Sequence, residues 1–352
     1  MLSYAIVGSG YRSVYYARIA AQYPDLFRAM YLCRSEEKAL KMHRLTGLDA
    51  AVSPEAVRAF RPDFIVVAVD RPHVAEVTEE WVRQGYAVVA ETPVGASVEQ
   101  LNRLWSLHRE QGARIVCCEQ YHRYPILQAG LSAVDEGLLG EPVSAYLSLA
   151  HDYHGFSLIH RMLRTRGEGW TMRGTGVTAP VVQTDSRGGA ILDGSTAAEE
   201  RHILHITFDS GKTAVYDFAS VQYRSFIRCR HLTVRGSRGE WSDCLICRVD
   251  AEGRPQRQFL MPEIPTAYRV LDNQTLRDRR KTWQAELFLD TAQDEFAVAS
   301  ILMDMEAYLA GGPSPYPLED ALEDAYFWLM SDEAAANSWQ EYRAQPMPWR
   351  CL

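Results

Sequence analysis

Two glycine-bearing and histidine-bearing stretches of this chain have residue types and spacing that could do chemistry. Gly8-Ser9-Gly10-Tyr11-Arg12-Ser13 reads as G-x-G-x-x-S directly after an apolar run. The first glycine makes a tight turn and the second lets the backbone approach a pyrophosphate. The third position serves close helix packing, which a small serine can supply. The segment is read as a dinucleotide-binding turn using Gly8, Ser9, Gly10, Tyr11 and Arg12. The bland alternative is a turn that merely needs two glycines. The second stretch, His151-Asp152-Tyr153-His154, sets two imidazoles around a carboxylate. An imidazole titrates near neutral pH and can take up or give back a proton, so a histidine of this pair could serve as an acid/base. On a strand, Asp152 and His154 would share one face and Tyr153 the other. No third ligand accompanies His151 and His154, so no metal is expected.

These groups need elements to hold them. Leu2–Val7 is a buried-strand run leading into the glycine turn and a helix over Val14–Tyr23. Strand-like and helical patterns then alternate: Ala29–Cys33, Glu36–Leu45, Phe64–Val69, Val74–Gln84, Ala87–Ala90, Val98–Gln111 and Ile115–Cys118. The apolar Phe64–Val69 run marks a central parallel strand covered on both faces. Such alternation implies a doubly wound parallel sheet. After a linking helix over Tyr124–Gly137, strands dominate: Val143–Ala150, Arg201–Phe208, Thr213–Phe218, Phe226–Arg235 and Gln258–Met261. Asp209-Ser210-Gly211-Lys212 is a hairpin turn, which points to an antiparallel sheet with one free face. Thr165–Thr196 reads as a long loop whose Arg173, Thr184 and Arg187 could clamp a polar substrate. Helices close the chain at Thr282–Leu309 and Pro317–Ala336. The expected fold is therefore α/β: a Rossmann domain over 1–122, then an α/β domain over 123–352 with a large open, mostly antiparallel sheet, for substrate and oligomerisation. The last helices are expected to pack back on the first domain.

The second strand ends in Cys33-Arg34-Ser35, with no acid at its tip to bind ribose hydroxyls. Arg34 followed by Ser35 suits a 2′-phosphate, so NADP is preferred to NAD, although Glu36 and Glu37 stand close enough to favour NAD.

Composition bounds the rest. The 352 residues are 47% hydrophobic and 23% charged, with a formal charge of −8. That balance disfavours nucleic acid as a partner. No apolar run approaches the ~18–20 residues of a membrane span. The first strand starts too early to leave room for a signal peptide, so a cytoplasmic protein is expected. The seven cysteines are expected as free thiols, and Cys244-Leu-Ile-Cys247 lacks the second pair a metal site would need. An exposed sheet face calls for cover by a second copy, as a homodimer or homotetramer.

Val69-Asp-Arg-Pro-His73, Gly85 to Val94 with Glu91-Thr92-Pro93 at its centre, and Glu119-Gln-Tyr-His-Arg123-Tyr-Pro125 together resemble the Gfo/Idh/MocA oxidoreductase family, which includes glucose–fructose oxidoreductase and inositol dehydrogenases. Met303–Leu309, Tyr316-Pro317-Leu318, Asp324-Ala-Tyr326 and Trp349 extend the resemblance to nearly the whole chain. It implies hydride transfer to or from a secondary alcohol or carbonyl of a sugar, cyclitol or related small metabolite. Val69, His73, Glu91, Pro93 and Gln120 are read with the cofactor and Tyr121, Arg123, His151 and Asp152 with the substrate, although Tyr121, His122 and Arg123 equally suit a hydrogen-bonded interdomain turn and His151 a structural role. The resemblance makes His154 and the residue at 92 catalytic. The sequence departs from the pattern twice. Thr92 stands where the family has the lysine of Glu-Lys-Pro, and Ala150 stands where it has the aspartate of D-x-x-x-H. None of the lysines (Lys38, Lys41, Lys212, Lys281) is an obvious substitute. The sequence therefore leaves open a catalytically impaired NAD(P)-binding protein or sensor, and a non-redox enzyme with tightly bound NAD(P).

Overall fold

The structure, a computed structural model, describes residues 1–186, 189–260 and 291–350. The chain divides into two compact units, Met1–Pro125 with Ile264–Tyr326, and Ile126–Glu263 with Phe327–Leu352.

In the first unit, strands β1 (Leu2–Val7), β2 (Phe27–Leu32), β3 (Ala50–Ala51), β4 (Phe64–Val67), β5 (Ala87–Ala90) and β6 (Ile115–Cys117) form one parallel sheet in the order β3-β2-β1-β4-β5-β6. Helices α1 (Ser13–Gln22), α2 (Glu36–Thr46), α3 (Pro54–Phe60), α4 (Val74–Arg83) and α5 (Val98–Gln111) connect them. β4 and β5 are buried along their whole length because helices cover both faces. The helix starts follow local chemistry. The side chains of Ser35, Ser53 and Ser97 accept from the backbone N–H groups of Lys38, Glu55 and Gln100, satisfying donors that a helix start leaves free. The helix Thr291–Leu309 belongs to the same unit.

In the second unit, α6 (Pro125–Asp135) leads to a nine-stranded sheet in the order β16-β15-β14-β13-β7-β12-β11-β8-β17. Its strands are β7 (Pro142–Ser148), β8 (Trp170–Val182), β11 (Thr196–Phe208), β12 (Thr213–Ala219), β13 (His231–Gly236), β14 (Gly239–Ser242), β15 (Leu245–Val249), β16 (Pro255–Phe259) and β17 (Tyr342–Arg343). A separate pair, β9 (Asp185–Ser186) and β10 (Gly189–Ala190), lies in between. All pairings in the large sheet are antiparallel except β7 with β12. Leu204, Ile206, Phe208, Ala214, Tyr216, Leu147 and Val234 are buried on one face. There Phe156 stacks at 4.9 Å from Tyr216 and 4.7 Å from Phe327. The opposite face carries Ile203, His205 and Thr207, which are half-buried or exposed. Among the described residues, no helix is long and apolar enough to cross a membrane.

The structure corrects several expectations. Asp152–Leu163 is a helix, α7, not the end of a strand. His151 stands at its N-cap position without a side-chain capping bond, and Asp152 and His154 lie on the helix rather than on one face of a strand. The expected loop Thr165–Thr196 contains the long strand β8, which pairs with β11 over its full length. Arg173 in that strand is ion-paired with Glu341, and Thr184 Oγ1 accepts from the Phe226 N–H at 2.8 Å. Neither is a free clamp, and Arg187 lies outside the described residues. The expected strand Phe226–Arg235 begins only at His231, and β14 and β15 appear where no strand was expected. Lys281, Met261 and the start of the expected helix Thr282–Leu309 lie outside the described residues.

One core group makes stability pH-dependent. His160 on α7 is 1% exposed, with Nδ1 3.1 Å from Thr165 Oγ1 and its ring against Phe208 and Phe327. Burial, reinforced by the charges of Arg166 and Arg350, pushes its pKa well below 6.5. The unfolded chain therefore binds a proton that the fold refuses. Stability is fully present above about pH 6.5 and falls as pH drops below it, by up to ~1.4 kcal/mol per pH unit. Urea melts between pH 7 and 5 are expected to show a shallower loss for His160→Phe than for the natural chain. Parallel curves would rule the effect out.

Candidate functional site

β1 ends at Val7 and the turn Gly8–Arg12 delivers the chain into α1. Gly8 has φ of 123°, and a Cβ there would stand 2.2 Å from the Ala68 carbonyl oxygen. The first glycine is thus demanded by the backbone that follows β4. Gly10 is different: an added Cβ would meet nothing within 4 Å. The backbone N–H groups of Ser9, Gly10 and Arg12 find no acceptor among the described residues. They stand just before α1, whose N-cap residue is Arg12 and whose dipole favours an anion at that end. Ser13 Oγ donates to the Gly10 carbonyl at 2.7 Å and holds the turn in shape. The turn lies between β1 and β4, where the strand order reverses, which is the place such sheets bind ligands. The clear space at Gly10, beside N–H groups with no acceptor among the described residues, fits a pyrophosphate.

Arg12 sends its donors elsewhere. Nε meets Glu91 Oε1 at 2.7 Å and Nη1 bonds Asp294 Oδ2, while the guanidinium lies 4.8 Å from the Tyr15 ring centre. Burial opposes its charge, but Asp294 and Glu91 more than offset that and hold it protonated. Glu91 is 6% exposed and also accepts from the Tyr16 hydroxyl. Burial pushes the Tyr16 phenol up, so it stays a donor. Asp294 further accepts from Gln120 Nε2 at 2.9 Å and the Tyr124 hydroxyl at 2.8 Å. Gln120 is therefore tied to the same carboxylate as Arg12.

At the end of β2, Arg34 is exposed, and Ser35 caps α2. Asp70, just past β4 and Val69, accepts from its own backbone and from His73 Nδ1 at 3.0 Å. Those bonds hold its carboxyl below the usual range, with a smaller contribution from the Arg34 charge. Arg34, Asp70 and His73 thus form one charged group at the strand ends.

Thr92 follows β5 and is half-buried between buried Glu91 and Pro93. Its N–H points to Glu91 Oε2 at 3.4 Å. No described lysine fills the gap at this position. Lys38 and Lys41 lie in α2, and Lys212, in the other unit, donates to the Leu163 carbonyl and pairs with Glu141 at 2.6 Å. Arg123 donates to His122 Nε2 at 3.0 Å, Asp304 at 2.7 Å and the Pro315 carbonyl at 3.1 Å. Tyr121 is buried, its ring edge-on to Tyr124. This turn has the hydrogen bonding of a structural lock.

The histidine group lies in the second unit. The Tyr223 hydroxyl accepts from the His151 backbone N–H at 2.8 Å and shares a hydrogen bond with Nδ1 at 2.6 Å. The His151 and His154 rings stand edge to face at 4.9 Å, and His154 is 5% exposed. Tyr153 packs on His154 at 4.5 Å. Asp152 has φ of 46°, an uncommon conformation that aspartate tolerates, and its N–H donates to the Tyr216 hydroxyl at 2.7 Å. Among the described residues no group of side chains could hold a metal ion. Sequence reasoning missed Tyr16, Asp294, Tyr216 and Tyr223. Tyr216 alone carried a signal, as an alternating inward residue of β12.

Residues 2–119 match the family model described as an oxidoreductase family with an NAD-binding Rossmann fold. No curated protein is similar enough in sequence to match. Solved structures share the fold across the chain. An NAD-binding oxidoreductase from Klebsiella pneumoniae is 14% identical with a TM-score of 0.72, covering 98% of this chain and 99% of that one. An oxidoreductase from Agrobacterium radiobacter, in complex with NAD+, L-tartaric acid and magnesium, is 12% identical with a TM-score of 0.70, covering 97% and 98%. The UDP-N-acetylglucosamine 3-dehydrogenase GnnA from Acidithiobacillus ferrooxidans is 14% identical with a TM-score of 0.66, covering 95% and 97%.

Proposed function

We propose, because residues 2–119 match the oxidoreductase family with an NAD-binding Rossmann fold, that this protein is an NAD(P)-dependent oxidoreductase of the Gfo/Idh/MocA kind acting on a secondary alcohol or carbonyl of a sugar, cyclitol or related small polar metabolite. The observation that carries the reading is the glycine turn, whose Ser9, Gly10 and Arg12 N–H groups find no acceptor among the described residues, and where a Cβ added at Gly10 would meet nothing within 4 Å. When bound there, the nicotinamide supplies a hydride acceptor or donor. The chain's residues do the rest. The turn's N–H groups hold the pyrophosphate. Val69, His73, Glu91, Pro93 and Gln120 shape the surroundings of the cofactor. His154 takes the hydroxyl proton as the carbinol carbon gives up its hydride, and returns it in reduction. Thr92 donates a hydrogen bond to the reacting oxygen but brings no charge. Tyr121, Arg123, His151 and Asp152 belong to the substrate side of this reading. Sugar and nucleotide-sugar chemistry among proteins of similar fold supports the substrate class. A homodimer or homotetramer through the exposed sheet face, in the cytoplasm, completes it.

A second reading rests on Thr92. Without a cation there, the scaffold would serve as an NAD(P)-binding sensor, or hold NAD(P) tightly for a non-redox reaction. Steady-state nicotinamide absorbance with a panel of sugars and cyclitols separates the two. Tight cofactor binding with no absorbance change on any of them favours the second.

For the cofactor, exposed Arg34 followed by half-buried Ser35 favours NADP. Fluorescence titration is expected to give tighter NADPH than NADH binding. Arg34→Ala should weaken NADPH by roughly tenfold or more, the worth of a charge-assisted hydrogen bond, and leave NADH nearly unchanged. Equal losses for both would reject the assignment, since NADH lacks the 2′-phosphate.

A further inference from the structure

We propose that Arg12 is a positioning residue that never touches the dinucleotide: it is the internal counter-ion that fixes Glu91 and Asp294 beside the glycine turn, so that the turn can receive a doubly charged pyrophosphate. The inference rests on the proposed dinucleotide site and refines it, because an arginine inside a G-x-G-x-x-S turn would ordinarily be read as a phosphate ligand. Its donors are turned inward. Nε is on Glu91 and Nη1 on Asp294, and Nη2 is shut off from solvent with no partner among the described residues. Nη2 has no exposed surface for a phosphate oxygen to reach.

The carboxylates explain the arrangement. Glu91 stands immediately before Thr92, and Asp294 comes from the helix Thr291–Leu309. Both hold a side chain of the turn itself. Together with Arg12 they carry a net charge of −1, spread over hydrogen bonds from Tyr16, Tyr124 and Gln120. Remove the guanidinium, and two carboxylates face each other next to a turn built for an anion. The same bonds tie the turn to the Glu91-Thr92 peptide, so Arg12 also sets where Thr92 sits.

The test is a double-mutant cycle on the full chain with Arg12→Met, Asp294→Asn and the pair. Two quantities are read: the thermal midpoint without ligand, and the NADPH dissociation constant by nicotinamide fluorescence. An uncompensated unit charge acting over ~10 Å at an effective dielectric of ~20 changes an affinity roughly fifteenfold. Arg12→Met is expected to weaken NADPH on that scale and to lower the midpoint. Adding Asp294→Asn should recover most of both losses, because the stranded charge is gone. A double variant that folds but binds NADPH as poorly as Arg12→Met would mean that Arg12 contacts the phosphates, and the proposal fails. If Arg12→Met does not fold, the pair decides: a folded pair that binds NADPH supports the counter-ion role, and an unfolded pair overturns it. Should the natural chain bind neither NADH nor NADPH, the functional reading fails by itself, while recovery of the thermal midpoint still judges the counter-ion.

Discussion

Gly8→Ala is expected to cost about 2–6 kcal/mol of folding stability, the sum of ~1–3 for a side chain held at an unfavourable φ and ~1–3 for overpacking. The overlap is with backbone: the Ala68 carbonyl oxygen would lie 2.2 Å from the new Cβ, and a carbonyl at the end of a buried strand cannot swing away. Domains of ordinary stability hold only ~5–15 kcal/mol in all, so a large share of the total goes and the thermal midpoint should fall by several degrees or more. Gly10→Ala is the informative partner. Its Cβ meets nothing within 4 Å, and its φ is not positive, so the thermal midpoint should not move. If that empty space is where the pyrophosphate lies against the backbone, the methyl clashes with ligand alone. A clash of ~2–3 kcal/mol would weaken NADH and NADPH by roughly 30–160-fold. Two glycines of one motif would then separate, one by calorimetry and the other by cofactor titration. A Gly10→Ala variant that binds the cofactor as tightly as the natural chain would remove the dinucleotide from this turn.

The first unit was legible in the sequence because its signals are local. A parallel strand covered on both faces must be a short apolar run, and Phe64–Val67 and Ala87–Ala90 are such runs. The helix ends are written in capping residues: α5 matches its expected span, from the Ser97 cap to Gly112. The second unit was less legible because tertiary contacts decide it. α7 contains Gly155, which lowers helix propensity, and the reason for the glycine is remote. A Cβ there would stand 2.6 Å from the Tyr216 ring on a strand sixty residues later. β8 looked like a loop because Gly174 and Gly176 blank out its alternation. Gly174 is small because Leu204 of β11 lies against it. The charge network of Arg12 was invisible for the same reason. Its partners lie 79 and 282 positions away, and no spacing rule joins a glycine turn to a helix near the other end. What sequence could find was the turn, Glu91-Thr92-Pro93 and the histidine pair. It could not tell which of those side chains were already committed to holding each other.

Thr92→Lys is expected to raise the rate of nicotinamide reduction by 10²–10³-fold, the usual worth of one well-placed electrostatic stabiliser at a developing oxyanion, ~3–4 kcal/mol. The surroundings can take the charge. The new ammonium would follow directly on Glu91, whose carboxylate already has Oε2 turned toward the residue 92 N–H at 3.4 Å, and residue 92 is only half-buried. The fold should therefore survive, with a thermal midpoint near that of the natural chain and little change in NADPH affinity. The gain belongs in kcat, because threonine can already offer the ground-state hydrogen bond and only the charge that builds in the transition state sees the difference. His154→Ala in the Thr92→Lys background supplies the control. If His154 moves the proton, much of the gain disappears. If the gain survives intact, the proton is handled elsewhere, and His151, held by Tyr223, becomes the group to test. No gain from lysine on any sugar or cyclitol, with cofactor still bound, would show that this chain has left hydride transfer behind and uses the dinucleotide for something other than turnover.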